Sequence, residues 1–256
     1  MIWVGLLSCL LTVGCRIRST GPHWTETHGR GELTRLAGGS VGLLAIGTNG
    51  LVYRYPESGA WREWNAQFRP LAITGSRDGL LYSERGGKVG SGRQGRVAAP
   101  AWTLNAEVTD LASDNSGDLA YAVADGRVSQ LLPAGQLASV CPNVRAVGIA
   151  FAQGKLWLSD AQRLYVATEN DCNGAAAAPA HVIRLSGFAD RLFVVDTGGD
   201  VFRRVKDGSW QKLPRPTKFR PDRMPQDRPV TDVAVTSTAT WVLDDERTVF
   251  VLSESE

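Results

Sequence analysis

Four charged residues hold one position in a recurring pentad. Leu33-Thr34-Arg35-Leu36-Ala37, Val108-Thr109-Asp110-Leu111-Ala112, Val182-Ile183-Arg184-Leu185-Ser186 and Val230-Thr231-Asp232-Val233-Ala234 place Arg35, Asp110, Arg184 and Asp232 third in each. Brought together, two guanidiniums and two carboxylates could bind a polar ligand. Joined by Asp196 and Asp244 they could hold a metal for hydrolysis, chemistry that requires carboxylates free to neutralise the cation and a base beside its water. Here an Arg is available to each Asp, which favours a ring of compensating ion pairs. No metal and no cofactor is expected.

Three other motifs are turn chemistry. Gly90-Ser91-Gly92-Arg93-Gln94-Gly95 has phosphate-loop spacing, but no helix follows it to receive an anion. Gly38-Gly39-Ser40-Val41-Gly42 has nucleophile-elbow spacing without the strand-turn-helix context that an elbow needs. Asp114-Asn115-Ser116-Gly117-Asp118 clusters oxygen atoms but lacks the remaining Ca²⁺-loop ligands and the closing Glu. With only His23, His28 and His181, and none at ligand spacing to a cysteine, a zinc site is not expected. No residue set in the sequence specifies a reaction.

These residues must be positioned by strands. The chain has 256 residues, with Gly 28, Pro 12 and Trp 8, and turns punctuate it too often for long helices. Its net charge of +2 argues against a dedicated nucleic-acid binder. The four pentads, with looser copies at 68–72 and 144–148, give six first strands spaced by some 37 to 40 residues, with one longer interval before Val230. A more apolar second strand follows each, at 43–46, 80–83, 119–122, 156–159, 192–195 and 240–243. Turns such as Thr48-Asn49-Gly50 and Asp125-Gly126 then supply the positive φ that tight hairpins need. A period of this length, all strand, predicts an all-β fold: a six-bladed β-propeller of four-stranded antiparallel blades.

Fourth strands are marked by Trp61, Trp102 and Trp210, whereas 137–140 and the alanine-rich 175–180 stand there without Trp. The last repeat stops after three strands. Its fourth is expected from the other end of the chain, at His23-Trp24-Thr25-Glu26-Thr27, so that no sheet edge stays open. The propeller domain is therefore expected to span 23–256.

Residues 2–13 form an apolar run of signal-peptide length, too short to cross a bilayer, ending in Leu11-Thr12-Val13-Gly14-Cys15. This resembles the lipobox of bacterial lipoproteins, although Thr12 stands where Leu is usual and no Lys or Arg precedes the run. The resemblance implies a signal peptide at 1–15, lipidation of Cys15 and a tether at 16–22. Arg16 follows the cysteine rather than the Asp of inner-membrane retention, so export to the outer membrane is expected rather than to the inner. In that oxidising setting Cys141 and Cys172 are expected as a disulfide, two buried thiols being the alternative.

The Trp-led fourth strand, the Leu-x-x-Ile/Val first strand, the turn Gly and the aromatic third strand (Val52-Tyr53, Val201-Phe202) resemble tectonin-type propellers and the similar RCC1-like repeats. That resemblance implies a module binding a glycan or another protein; a monomer with an envelope protein or glycan as partner is expected. Nucleic acid is not an expected partner. The expected function is non-enzymatic binding or scaffolding, with a metal-dependent lactonase or hydrolase using the channel carboxylates as the alternative. The longest interruption of the repeat, 214–229, is a proline-rich extended loop, and its Arg215, Lys218, Phe219, Arg220, Arg223 and Met224 are candidates for contacting a partner.

Overall fold

The computed structural model describes residues 21–27, 32–56, 59–65, 69–77, 79–93, 96–114, 116–160, 162–168, 171–175, 178–220 and 223–253. Cys15 and the rest of the 1–20 segment lie outside them. Among the described residues there is no helix long and apolar enough to cross a membrane.

Six antiparallel sheets form a propeller. Blade 1 is Leu33–Ala37, Leu43–Gly47, Val52–Tyr55 and Arg62–Asn65. Blade 2 is Ala72–Gly75, Gly79–Glu84, Lys88–Arg93 and Trp102–Thr103, with the short Arg96–Val97 added beside its third strand. Blades 3 and 4 begin at Val108–Ser113 and Gly148–Ala152 and end at Leu137–Val140 and Cys172–Gly174. Blade 5 runs from Val182–Phe188 to Trp210–Lys212. Blade 6 is Val230–Val235, Thr240–Asp244 and Val249–Ser253, with His23–Glu26 paired antiparallel to the last of these.

The core is divided among the seams. Six apolar clusters each join two adjacent blades, including Leu33, Leu36 and Tyr53 of blade 1 against Ala234, Leu243 and Val249 of blade 6. Second strands such as Leu43–Gly47 and Ala120–Ala124 are buried along their whole length because both faces are covered by neighbouring blades.

Three strand boundaries differ from the sequence expectation. The looser first strands are Ala72–Gly75 and Gly148–Ala152, about four residues later than 68–72 and 144–148. Their ladders open only where Leu71 and Val147 donate their backbone N–H to Ser83 O and Ser159 O. The fourth strand of blade 4 is Cys172–Gly174 rather than 175–180, with Tyr165 opposite Gly174. Small side chains such as those of the alanine run make weak strand formers.

Tryptophan N–H groups tie outer strands to what lies beside them. Trp24 donates to Pro214 O at 2.7 Å and Trp102 to Leu132 O at 2.6 Å. Glycine closes the ring on the axis: a Cβ on Gly38 would lie 1.9 Å from Val235 O, and one on Gly75 2.5 Å from Gly38 O. The motif glycine Gly90 has a packing role, since Tyr82 lies where its Cβ would be.

Candidate functional site

Each pentad carries a β-bulge. In blades 1, 3, 5 and 6 the register shifts between Leu33 and Arg35, Val108 and Asp110, Val182 and Arg184, and Val230 and Asp232. A bulge leaves one residue out of the ladder and re-aims its neighbour. Three of the four bulged residues are threonines whose hydroxyls reach the neighbouring strand: Thr34 to Ile46 O, Thr109 to Val123 O and Thr231 to Leu243 O. The charged residue that follows lines the central channel with Arg35, Asp110, Arg184 and Asp232 together. Blades 2 and 4 lack the shift and place Ala72 and Gly148 at the start of their first strands.

The four charges pair internally. Arg35 Nη2 meets Asp110 Oδ1 at 3.0 Å, and its Nη1 donates to Thr109 O. Arg184 Nε lies 3.6 Å from Asp232 Oδ1, and its Nη1 donates to Ile183 O. The second Asp110 oxygen accepts the N–H of Ile149, from blade 4. Asp232 Oδ2 accepts the N–H of Leu36, from blade 1, and its Oδ1 that of Val233. The aspartates thus fasten blade 3 to blade 4 and blade 6 to blade 1. Burial pushes the Asp232 carboxyl above the usual range, against the pull of Arg184, Arg35 and the two amides.

The channel cavity holds about 40 Å³, room for a few water molecules. Asp196 and Asp244 serve their own hairpins, accepting the N–H of Asp200 and Thr248. Among the described residues no three His, Cys, Asp or Glu side chains are grouped to hold a metal. A cation entering the channel would meet carboxylates whose oxygens are already taken by guanidinium and amide, so this donor set does not fit the hydrolase alternative.

The 214–229 segment is a β-ribbon rather than a loop. Thr217–Arg220 pairs with Arg223–Asp227 as a separate two-stranded sheet. Two of its candidate contact residues are spent on anchoring it. Arg215 bonds Asp200 Oδ1 at 2.8 Å and Gly198 O, beside Lys212 on Asp200 Oδ2. Lys218 bonds Glu246 at 3.3 Å and Thr248 Oγ1 at 3.1 Å. Met224 is 87% exposed. The side chains of Phe219, Arg220 and Arg223 lie outside the described set.

Sequence reasoning missed Arg228. Its guanidinium reaches Asp245 at 2.7 Å, Glu246 at 2.9 Å and the buried Asp244 at 3.7 Å. The consecutive acids Asp244-Asp245-Glu246 opposite an Arg-rich insertion were the available signal. Arg228→Ala should cost about 1–3 kcal/mol, because it removes the close charge-assisted contacts to Asp245 and Glu246 beside the buried Asp244. Urea denaturation checks this, and limited proteolysis should cut the ribbon faster in the variant.

Cys141 and Cys172 form a disulfide with Cα atoms 5.5 Å apart. Cys141 lies just past the fourth strand of blade 3 and Cys172 opens that of blade 4, so the bridge links the outer edges of two adjacent blades.

No protein-family model matches the sequence, and neither does any curated protein. The fold is shared with solved structures. Virginiamycin B lyase from Staphylococcus aureus has a TM-score of 0.59 at 12% identity over 87% of this chain and 80% of its own. A gluconolactonase from Xanthomonas campestris has a TM-score of 0.63 at 14% identity, covering 92% of this chain and 95% of its own. A protein of unknown function from Bacteroides thetaiotaomicron gives 0.65 at 11% identity over 91% and 76%.

Proposed function

We propose that this propeller is a non-enzymatic binding or scaffold module of the cell envelope, exported, lipid-anchored through Cys15 at the outer membrane, and engaging a protein or a glycan. The observation that carries the reading is the saturation of the channel: both oxygens of Asp110 and of Asp232 are committed to Arg or backbone N–H groups. At 12–14% identity, the lyase and the gluconolactonase share a fold with this chain, and a fold hosts many activities. The disulfide supports an oxidising compartment. Contact with a partner then falls to the rim, where the ribbon presents Met224.

The test uses protein purified from an envelope fraction. Mass analysis is expected to find acyl chains on Cys15, and Cys15→Ser to shift the protein to the soluble fraction. Cross-linking and pull-down should recover a defined partner, lost when 214–229 is deleted. Stoichiometric Ca²⁺ or Zn²⁺ accompanied by lactone hydrolysis would overturn the non-enzymatic reading.

A further inference from the structure

A cleft of about 610 Å³ opens between blades 3 and 4, within the size range of small-molecule sites. Asp125 and Gly126 line it from a hairpin turn of blade 3, Asp160 and Gln162 from a turn of blade 4, and Arg145 and Val147 from the segment that connects the two blades. The connecting segment repeats from seam to seam. Ala146 donates its N–H to Gly126 O at 2.8 Å, as Val230 does to Gly199 O at 3.0 Å. The preceding residue lies against the turn glycine: a Cβ on Gly126 would be 3.6 Å from Arg145 Cβ, and one on Gly50 would be 3.6 Å from Arg69 Cβ.

The arginines of this segment differ in what they hold. Arg69 donates to Asn49 O, in the turn it covers, and Arg228 at the seam of blades 5 and 6 holds Asp245 and Glu246. Arg145 makes neither kind of contact: it is exposed and has no hydrogen-bond or ion-pair partner among the described residues. Asp125, exposed on the turn that the Arg145 stem covers, is also without a partner among them. A pair between two such exposed groups contributes little, so both charges stay available to a ligand. Asp160 differs, its oxygens taken by the N–H groups of Gln162 and Arg163 and by the Tyr165 hydroxyl. Two carboxylates thus stand against one guanidinium, a balance that disfavours a simple anion. Val147, 42% exposed, adds apolar surface to the lining.

We propose that this cleft binds a short peptide with free ends, its carboxylate on Arg145, its ammonium on Asp125 and an apolar side chain on Val147. A carboxylate matches the planar fork of a guanidinium, and charge-assisted bonds are stronger than neutral ones. A ligand carrying both signs satisfies both unpaired groups at once, whereas phosphate would meet Arg145 only against the repulsion of Asp125 and Asp160. The assignment rests on the binding-module reading and gives it a second site, apart from the ribbon, with a ligand class of its own.

The full chain in detergent is titrated calorimetrically with alanyl-leucine and alanyl-alanyl-leucine, with their N-acetyl and C-amide forms, and with inorganic phosphate. Each capped form is expected to bind at least about tenfold more weakly than the free peptide, the worth of one hydrogen bond to a charged group. Arg145→Gln should make acid and amide bind alike, and Asp125→Asn should do the same for free and acetylated amine. Both side chains are exposed, and Asn tolerates the φ of 48° at position 125, so the melting temperature should not move in either variant. No saturation by either peptide, capped forms that bind as tightly as free ones, discrimination that survives in the variants, or phosphate binding as tightly as the peptides overturns the assignment. The envelope pull-down separates the two levels: a recovered partner with silent peptide titrations discards the cleft and keeps the module. An empty pull-down with saturating peptide keeps the cleft.

Discussion

Asp232→Ala should destabilise the protein by about 3–5 kcal/mol, the summed cost of leaving two buried amide donors without an acceptor and the neighbouring guanidinium without its partner. For a chain of this size that lowers the unfolding midpoint by roughly 10 °C. The loss is large because one carboxylate serves three groups: the N–H of Leu36, the N–H of Val233 and the Arg184 guanidinium. Removing it leaves two amide donors beside the channel unpaired and frees the fastening between blades 6 and 1. Asp232→Asn keeps the shape but has one carbonyl oxygen for two amides, so about 1–3 kcal/mol is expected. Thermal denaturation of both variants checks the order.

The same residue gives a pH dependence with a defined sign. Burial holds the folded carboxyl above its unfolded value. Its contribution to stability is then full below the unfolded value and is lost as pH rises through the folded one. Urea titrations at about pH 4 and about pH 7, on either side of carboxylate ionisation, should show the deficit of Asp232→Asn shrinking at the higher pH. A deficit that grows toward neutrality would mean that ionisation is favoured in the folded state.

Reducing the Cys141–Cys172 bridge, or replacing both residues by Ser, should cost about 3–4 kcal/mol on the chain-entropy account of a crosslink 31 positions apart. The penalty should concentrate at one place. Cys141 is buried in the cluster between blades 3 and 4, with Cys172 packed against it. Hydrogen exchange is expected to rise first in Leu137–Val140 and Cys172–Gly174, while the seam between blades 6 and 1 stays protected. Thermal melts with and without reductant should differ for the native protein and coincide for the double Ser variant.

The repeat was legible wherever side chains repeated. Alternating and fully apolar strands, with Asn-Gly and Asp-Gly turns, placed the second strands to within a residue or two, and Trp61, Trp102 and Trp210 marked outer strands. It failed where backbone geometry decided. The second and third residues of the pentads carry the bulges, and blades 2 and 4, which lack a bulge, begin their ladders later than the pentad alignment suggests. Within the channel, the sequence supplied four charges at one repeat position but not their partners. The backbone amides of Leu36 and Ile149 belong to neighbouring blades and carry no side-chain signature. The ribbon illustrates a third limit: prolines and arginines suggested an extended surface loop, while its local strand pairing went unseen and the Arg228 anchor depends on acids some seventeen positions further along the chain. The contact of Tyr55 with Trp241 was invisible for a simpler reason, since ring formation alone brings blades 1 and 6 together.

The strand His23–Glu26 also sets the order of events when the chain folds. Its partner Val249–Ser253 is the last strand of the repeat, and the bond from Thr25 to Ser253 spans 228 positions. Contacts of that separation carry the largest loop-closure cost and slow a fold dominated by them. His23–Glu26 is synthesised long before its partner and waits unpaired until Val249–Ser253 has emerged, so completion of the ring is expected to be the late, slow phase of refolding. A chain truncated before Val249 should stall with its blade 5 side uncovered and an open sheet edge, the state most prone to aggregate.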